Sequence, residues 1–276
     1  MTWEQIIVDI RQNPEYTELV RDAYLGTDLV DCIERYRSSE EFLEITKYIT
    51  MYFLNKKMSI LDLGAGNGIS SIAFALLGHK VFALEPDKSK TVGAGAIKIL
   101  KDHYHLNNLE IVSCYAEDMP YSENSFDMVF ARQAMHHAYN LNSFVMQSAR
   151  ALKPGGFFFT VRDHVVNNEH QKKKFLEQHP LHKFYGGENA FSLREYKNAL
   201  NLAGLSIIKE LGPYDSIINY FPETLETIRV KTEQKFQIPF TIPSILFKLF
   251  LQFRKLMTRN YRNQPGRLYS FIAIKK

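Results

Sequence analysis

Seven short apolar runs, SILDLG, KVFALEP, LEIVSCYAE, FDMVFAR, GGFFFTVRD, LSIIKEL and LYSFIAIKK, alternate with helical stretches from Met58 to the end of the chain. A run that stays apolar on successive residues suits a strand covered on both faces, and strands separated by helices build a mostly parallel sheet with helices on either side. Before Met58 the spacing is different. Ile6, Ile7 and Ile10, then Phe42, Ile45, Ile49 and Phe53, recur at three- and four-residue intervals, which predicts helices. The chain is therefore read as an N-terminal helical lid module over residues 1–57 and an α/β, Rossmann-like domain over 58–276. Two connections, about 164–191 and 212–266, far exceed the two to six residues or so that a plain unit needs. They are expected to cover the substrate.

The turn after the first run, LDLGAGNG, places Gly64, Ala65, Gly66 and Gly68 between a strand and a helix. Such a turn brings bare backbone amides against a ligand at a helix start. A dinucleotide fingerprint needs glycine at the sixth place of G-x-G-x-x-G, and here that place is Ile69. The missing glycine opposes a nicotinamide oxidoreductase. So does Asp62, because a carboxylate beside the turn suits a cation better than a pyrophosphate. Glu85, at the end of the second run, lies where a carboxylate takes both hydroxyls of a ribose. A ribose-bearing cation is the predicted ligand.

At this point the chain resembles the class I S-adenosylmethionine-dependent methyltransferases, of the type 11/25-like groups, over about residues 58–163. The likeness rests on ILDLGAGNG, Glu85, YAEDMPYSENSFDMVFARQAMHH and ARALKPGGFFFTV, in that order. It implies a seven-stranded, mostly parallel sheet with an antiparallel last strand, for which LYSFIAIKK is suited, and S-adenosylmethionine as cofactor. It also implies that Asp62, Gly64, Ala65, Gly66 and Gly68 shape the methionine side, that Glu85 holds the ribose, and that Arg132 contacts the methionine part. Many relatives hold the adenine with an aspartate where this chain has Tyr115, so Ala116 and Glu117 are taken as substitutes. The stretch HPLHKFYGGENAFSLREYKNALNLAGLSIIKELGPYDSIINYFPET resembles a subgroup linked to bacterial surface-sugar biosynthesis.

Methyl transfer to a hydroxyl calls for in-line positioning and for removal of a proton, for which histidine is suited near neutrality. Open α/β sheets build their sites at the carboxyl ends of strands. That rule favours His136 and His137 after the fourth run and Asp163 and His164 after the fifth, with His164, Asp163 and His137 chosen as catalytic. Arg162, His182, Tyr185, Glu188 and Asn189 are read as substrate-binding, since aromatic, amide and carboxylate groups grip polyhydroxylated molecules. A tight turn with Asn189 or Ser192 capping the next helix is the plainer alternative for FYGGENAF, and solvated loop positions the plainer one for His179 and His182. Asp163, His164 and Glu188 have metal-ligating side chains, but their spacing demands no metal and none is expected; a divalent ion would only help orient a hydroxyl. Tyr36 and Arg37 are read as lid residues, against a capping box around Ser38 or Ser39 and Glu41.

The net charge of +4 is unevenly spread. From Leu225 onward eleven basic residues face Glu226 and Glu233, so this part carries 11 − 2 = +9 and the rest is mildly acidic. Residues 242–259 form a basic amphipathic pattern open to three readings: core packing, an oligomer or substrate-lid surface, or peripheral membrane contact. Cys32 and Cys114 are too few and too far apart for a disulfide framework or a zinc site. MTWEQIIVDIRQN is no secretory leader, and no uncharged run reaches the roughly 18 residues of a span, so a cytoplasmic protein is expected. The leading expectation is methyl transfer to a hydroxyl or amine of a small molecule such as a sugar, nucleotide sugar or cell-envelope precursor. Two rivals remain: a non-catalytic cofactor-binding or interaction protein on the same fold, and a nucleic-acid methyltransferase using the basic C-terminal region. The latter lacks the N/D-P-P-Y/F pattern of base amino-group methylation.

Overall fold

In a computed structural model of the chain, residues 2–54, 56–185, 187–238, 241–243, 245–247, 249–251, 253 and 265–276 are described. All seven apolar runs are strands: β1 (Ser59–Leu63), β2 (Lys80–Leu84), β3 (Leu109–Val112), β4 (Phe126–Arg132), β5 (Leu152–Val166), β7 (Leu205–Leu211) and β8 (Arg267–Lys275). A two-residue β6 (Phe191–Ser192) pairs with β5 and makes the sheet eight-stranded. The main path runs β3-β2-β1-β4-β5-β8-β7, and β8 is antiparallel to both of its neighbours. Strand order turns back between β1 and β4, the place where open α/β sheets generally take a ligand at the strand carboxyl ends.

Successive strand residues point to opposite faces, which divides the core in two. Ile60, Met128, Phe130, Phe159 and Ile272 pack on one face, and Leu61, Leu63, Val129, Phe158 and Phe271 on the other. Helix α5 (Ile69–Leu76) is buried on nearly every side because it lies between the sheet and the N-terminal helices. The second face is covered by α7 (Leu141–Ala151) and α10 (Leu193–Leu202). Ser192 caps α10 in a reciprocal capping box with Glu195.

Four α-helices precede the sheet: α1 (Trp3–Gln12), α2 (Thr17–Asp22), α3 (Leu29–Arg37) and α4 (Glu40–Phe53). They do not form a separate body, since Tyr36, Phe42, Ile45 and Ile49 share one core with β1 and α5. Helix α1 packs Ile6, Ile7 and Ile10 near Leu181 of α9 (Pro180–Tyr185), which follows α8 (Glu169–Gln178) in the first long connection. Between β7 and β8 lie α11 (Ile217–Tyr220) and α12 (Leu225–Lys235). Half of the amphipathic stretch 242–259 falls outside the described residues. Of its described part, Phe247 and Leu251 are buried beside Ile228 of α12, while Ile245, Leu246, Leu249 and Phe253 are exposed. Both cysteines are free, and no described helix is long and apolar enough to cross a membrane.

One ionic knot fastens α4 to the sheet. Glu41 is fully buried and accepts two hydrogen bonds from Arg132 at the end of β4, at 2.7 and 3.0 Å, while Arg162 Nη1 of β5 stands 3.9 Å away. Burial opposes a charge on Glu41, but the two guanidiniums outweigh it and hold its carboxyl below the usual range. Arg132 also lies against the rings of Tyr24 and Tyr36. Removing the acid strands two buried cations, so Glu41→Ala is expected to cost about 3–5 kcal/mol of unfolding free energy. Urea unfolding checks this, and a loss below about 1 kcal/mol would show that the knot holds nothing together.

Candidate active site at the carboxyl ends of the strands

The glycine turn leaves β1 at Leu63 and enters α5 with Gly64, Gly66 and Gly68 at φ of 61, 56 and 88°. A β-carbon on Gly64 would come within 2.8 Å of Ala134, and one on Gly68 within 2.9 Å of Ile97. At Gly66 it would meet nothing nearer than 3.9 Å, so this turn keeps an open side. Ala65 docks it on β2 by donating to the Leu84 carbonyl. The Gly66 amide donates to Glu85 at 2.7 Å, and the Asp87 amide to the other Glu85 oxygen at 2.9 Å. Burial pushes the Glu85 carboxyl up to about 7. Asn67 reaches the Tyr24 carbonyl, joining the turn to the N-terminal helices.

Several residues chosen from sequence have other partners. Asp62 is buried behind the turn, where Ser71 of α5 donates to it at 2.5 Å and burial raises its carboxyl to about 7. Ala116 and Glu117 lie in a short turn after β3, but Glu117 accepts the Tyr139 and Asn140 amides that shape the start of α7. That oxygen is not free for an adenine. Arg132 is committed to Glu41. Arg162, in a left-handed conformation at φ 63°, donates to the Ile218 and Phe221 carbonyls and so holds the segment after β7 rather than a substrate. Tyr36 is buried, with Ser70 donating to its hydroxyl, and Arg37 pairs with Glu34 at the surface. Ser39 is the α4 N-cap, while Glu41 joins the ionic knot in place of a capping box. Asn189 caps the amide of its own neighbour Ala190. The Tyr185 side chain and Gly186 lie outside the described residues.

What does converge is a group of histidines around one acid. A short turn, Met135–His137, follows β4 and buries His136 while leaving the His137 side chain 43% exposed. Asp163 on β5 accepts from the His136 amide at 3.0 Å and lies 3.1 Å from His136 Nδ1; Thr160 donates to its second oxygen. Three imidazoles are thereby oriented alike. His136 Nδ1 faces Asp163, His137 Nδ1 faces the Gly187 carbonyl at 3.0 Å, and His164 Nδ1 faces the Gly266 carbonyl at 3.0 Å. A carbonyl only accepts, so Nδ1 carries the proton in His137 and His164 and Nε2 keeps a lone pair.

Glu188 closes the group, with carboxylate oxygens 3.7 Å from His136 Nε2, 3.9 Å from His137 Nε2 and 3.8 Å from His179 Nδ1. The His136 ring centroid lies 4.2 Å from that of His137 and 4.8 Å from that of His164. Burial works against charge on His136, yet hydrogen bonds to Asp163 and Glu188 prevail and raise it to about 9. Burial and the neighbouring His136 charge push His164 down to about 3. Burial would raise Glu188, but His136, His137 and His179 bring it down to about 2. His164 is thus a weaker base than its position in the sequence suggests. His136, His164 and Glu188 present donor atoms within 4.8 Å of one another, a set able to hold a metal ion.

Two members were passed over by sequence reasoning. Adjacency in MHH does not tell which of His136 and His137 turns inward, and in the structure it is His136. His179 reads as a solvated loop residue, yet it packs near His164 and Phe175 with only 17% of its side chain exposed. His182 is only partly exposed on α9, with Nδ1 buried and without a hydrogen-bond partner. Two surface cavities, of about 380 and 470 Å³, lie beneath α6 (Ala94–His103) and along β3, and no cluster residue lines either.

Comparison with known proteins bears on the fold and on residues 61–160. Residues 61–160 match the family model described as a methyltransferase domain. The chain is 28% identical over 117 residues to the uncharacterized methyltransferase YcgJ of Bacillus subtilis, covering 42% of this chain and 45% of that protein. It is 25% identical over 176 residues to a ubiquinone biosynthesis O-methyltransferase of Bartonella tribocorum, covering 56% and 63%. The match thus spans less than two thirds of either relative. In structure, the chain resembles geranyl diphosphate C-methyltransferase of Streptomyces coelicolor, solved in complex with Mg2+, geranyl diphosphate and S-adenosyl-L-homocysteine. The TM-score is 0.59 at 15% identity, over 98% of this chain and 87% of that one, a likeness of fold. Residues 61–160, which carry the glycine turn and the strands on either side of the reversal in strand order, are thus similar to a methyltransferase domain.

Proposed function

We propose that the protein transfers a methyl group from S-adenosylmethionine to a hydroxyl or amine of a small molecule, with a sugar, nucleotide sugar or cell-envelope precursor as the acceptor class to test first. The observation that carries this reading is that the open glycine turn and the histidine–glutamate group are neighbours at the strand carboxyl ends: Gly64 abuts Ala134, two residues before His136. A cofactor is accommodated on one side and an acceptor on the other. The open side of Gly66 and the buried Glu85 carboxylate fit the cofactor, since each Glu85 oxygen keeps a lone pair for a ribose hydroxyl. Bound there, S-adenosylmethionine supplies a methyl group on a sulfonium; the carbon–sulfur bond breaks as the carbon–oxygen or carbon–nitrogen bond forms, and the electron pair returns to sulfur.

The chain's own contribution is position, shelter and a place for the proton. His136, fixed by Asp163 and facing Glu188, gives the acceptor side a rigid polar wall. His137 Nε2, on the more exposed side and 3.9 Å from Glu188, takes up the acceptor's proton, although burial and the His136 charge lower it to about 4. Helices α1 and α9 pack together over this end and limit water.

Two outcomes follow. His137→Ala should lower kcat by about 100-fold while changing affinity for S-adenosylhomocysteine less than about threefold, the signature of an acceptor-side residue. Steady-state kinetics with calorimetric titration separates the two, and unchanged turnover removes His137 from that role. For the cofactor side, Glu85 titrates near 7, so below that pH it is protonated and a poorer acceptor for ribose. S-adenosylhomocysteine affinity should therefore rise with pH through about 7. Asp62 also titrates there, so Glu85→Gln assigns the effect: it should flatten the profile and weaken binding about 10- to 100-fold at pH 8. A variant that keeps both affinity and slope rules Glu85 out.

A further inference from the structure

We propose that the histidine–glutamate group is a binding site for one divalent first-row transition-metal ion, ligated by His136 Nε2, His164 Nε2 and a Glu188 oxygen. The three donor groups come from three separate elements, the turn after β4, strand β5 and the loop before β6, yet their ligand atoms all lie within 4.8 Å of one another. Donors around a metal at roughly 2.0–2.2 Å stand about 3–3.5 Å apart, so small side-chain rotations close the set. His136 Nε2 and Glu188 are already 3.7 Å apart.

The outward nitrogens make the case stronger than proximity does. A metal-binding imidazole is normally held by a carboxylate or a backbone carbonyl at its other nitrogen, which fixes the tautomer and the ring plane. His136 has the carboxylate, Asp163, at 3.1 Å, and His164 has the carbonyl, Gly266, at 3.0 Å. Asp163 is anchored in turn by Thr160 and the His136 amide. His179 Nδ1 is an independent sign, being buried without a hydrogen-bond partner and 3.8 Å from Glu188. Two imidazoles and one carboxylate are a donor set for zinc or ferrous iron rather than for magnesium or calcium, which take oxygen ligands. Three protein ligands leave a position open, which is where an acceptor hydroxyl would bind and be made more acidic. That role for the ion rests on the methyl-transfer reading; the binding of the ion does not.

The test uses the full chain, stripped with a chelator and titrated with Zn2+ by calorimetry and with Co2+ by visible absorption. The expected result is a single tight equivalent and cobalt d–d bands of a four- or five-coordinate nitrogen–oxygen site. Glu188→Gln, which keeps the shape of the side chain, and His164→Ala should each weaken Zn2+ binding by at least about 100-fold, and Asp163→Asn by about 10- to 100-fold. His170→Ala, on the exposed face of α8, should bind as the unaltered protein does. Thermal melting of each variant identifies any that fails to fold, and Glu188→Gln then decides. No tight equivalent in the unaltered protein, or a site that survives Glu188→Gln and His164→Ala, overturns the proposal. S-adenosylhomocysteine titrated into the same samples keeps the two readings apart: metal without cofactor binding counts against the methyl-transfer reading, and cofactor without metal binding against this one.

Discussion

The buried carboxylate of Glu41 is the contact on which the arrangement of the site depends. It draws Arg132 from the end of β4 and faces Arg162 on β5, the two strands whose carboxyl ends carry the histidine group. Arg162 passes the constraint on to the carbonyls of Ile218 and Phe221, so the segment after β7 is held in register with α4. One acid thereby sets three elements distant in sequence against one end of the sheet. A charge this deep is costly unless it is paired, and the pairing makes the positions of α4, β4 and β5 interdependent.

The same economy governs the histidines. His136, His137 and His164 each give Nδ1 to a fixed acceptor, and so each presents Nε2 toward Glu188 or its surroundings. Hydrogen bonds to Asp163 and Glu188 raise His136 against its burial, burial and the His136 charge lower His164, and the surrounding imidazoles lower Glu188 against its burial. A cluster so polarised is organised for binding and orienting charge. In methyl transfer, where the rate follows from in-line approach, orientation is most of what a protein contributes.

Much of the fold was legible in the sequence because strand burial is a local signal. Each apolar run became a strand, the break at Met58 matched the change from helices to sheet, and the glycine turn stood where its backbone must bend. The two-residue β6 has no such signal. The site was legible less evenly. The glycine turn and Glu85 meet through the Gly66 amide, a contact their local spacing announces, whereas Glu41 lies in RSSEEF, where an acid near a helix start reads as surface capping and its partner is 91 residues away. Arg162 looked like a substrate contact because polar residues at strand ends usually are, but its left-handed backbone turns it into the interior. His179 was misjudged for the reverse reason: a loop residue is expected in solvent unless another segment comes to cover it, and here Phe175 and His164 do.

The central claim is that one site holds the cofactor at the glycine turn and the acceptor at the histidine group. A crystal structure with S-adenosylhomocysteine bound tests it most directly. The account predicts the ribose on Glu85 and the sulfur facing His136, His164 and Glu188 across a gap that one acceptor atom can fill, about 3–3.5 Å from the transferred carbon. A cofactor bound elsewhere, or bound with its sulfur turned away from those residues, would contradict it.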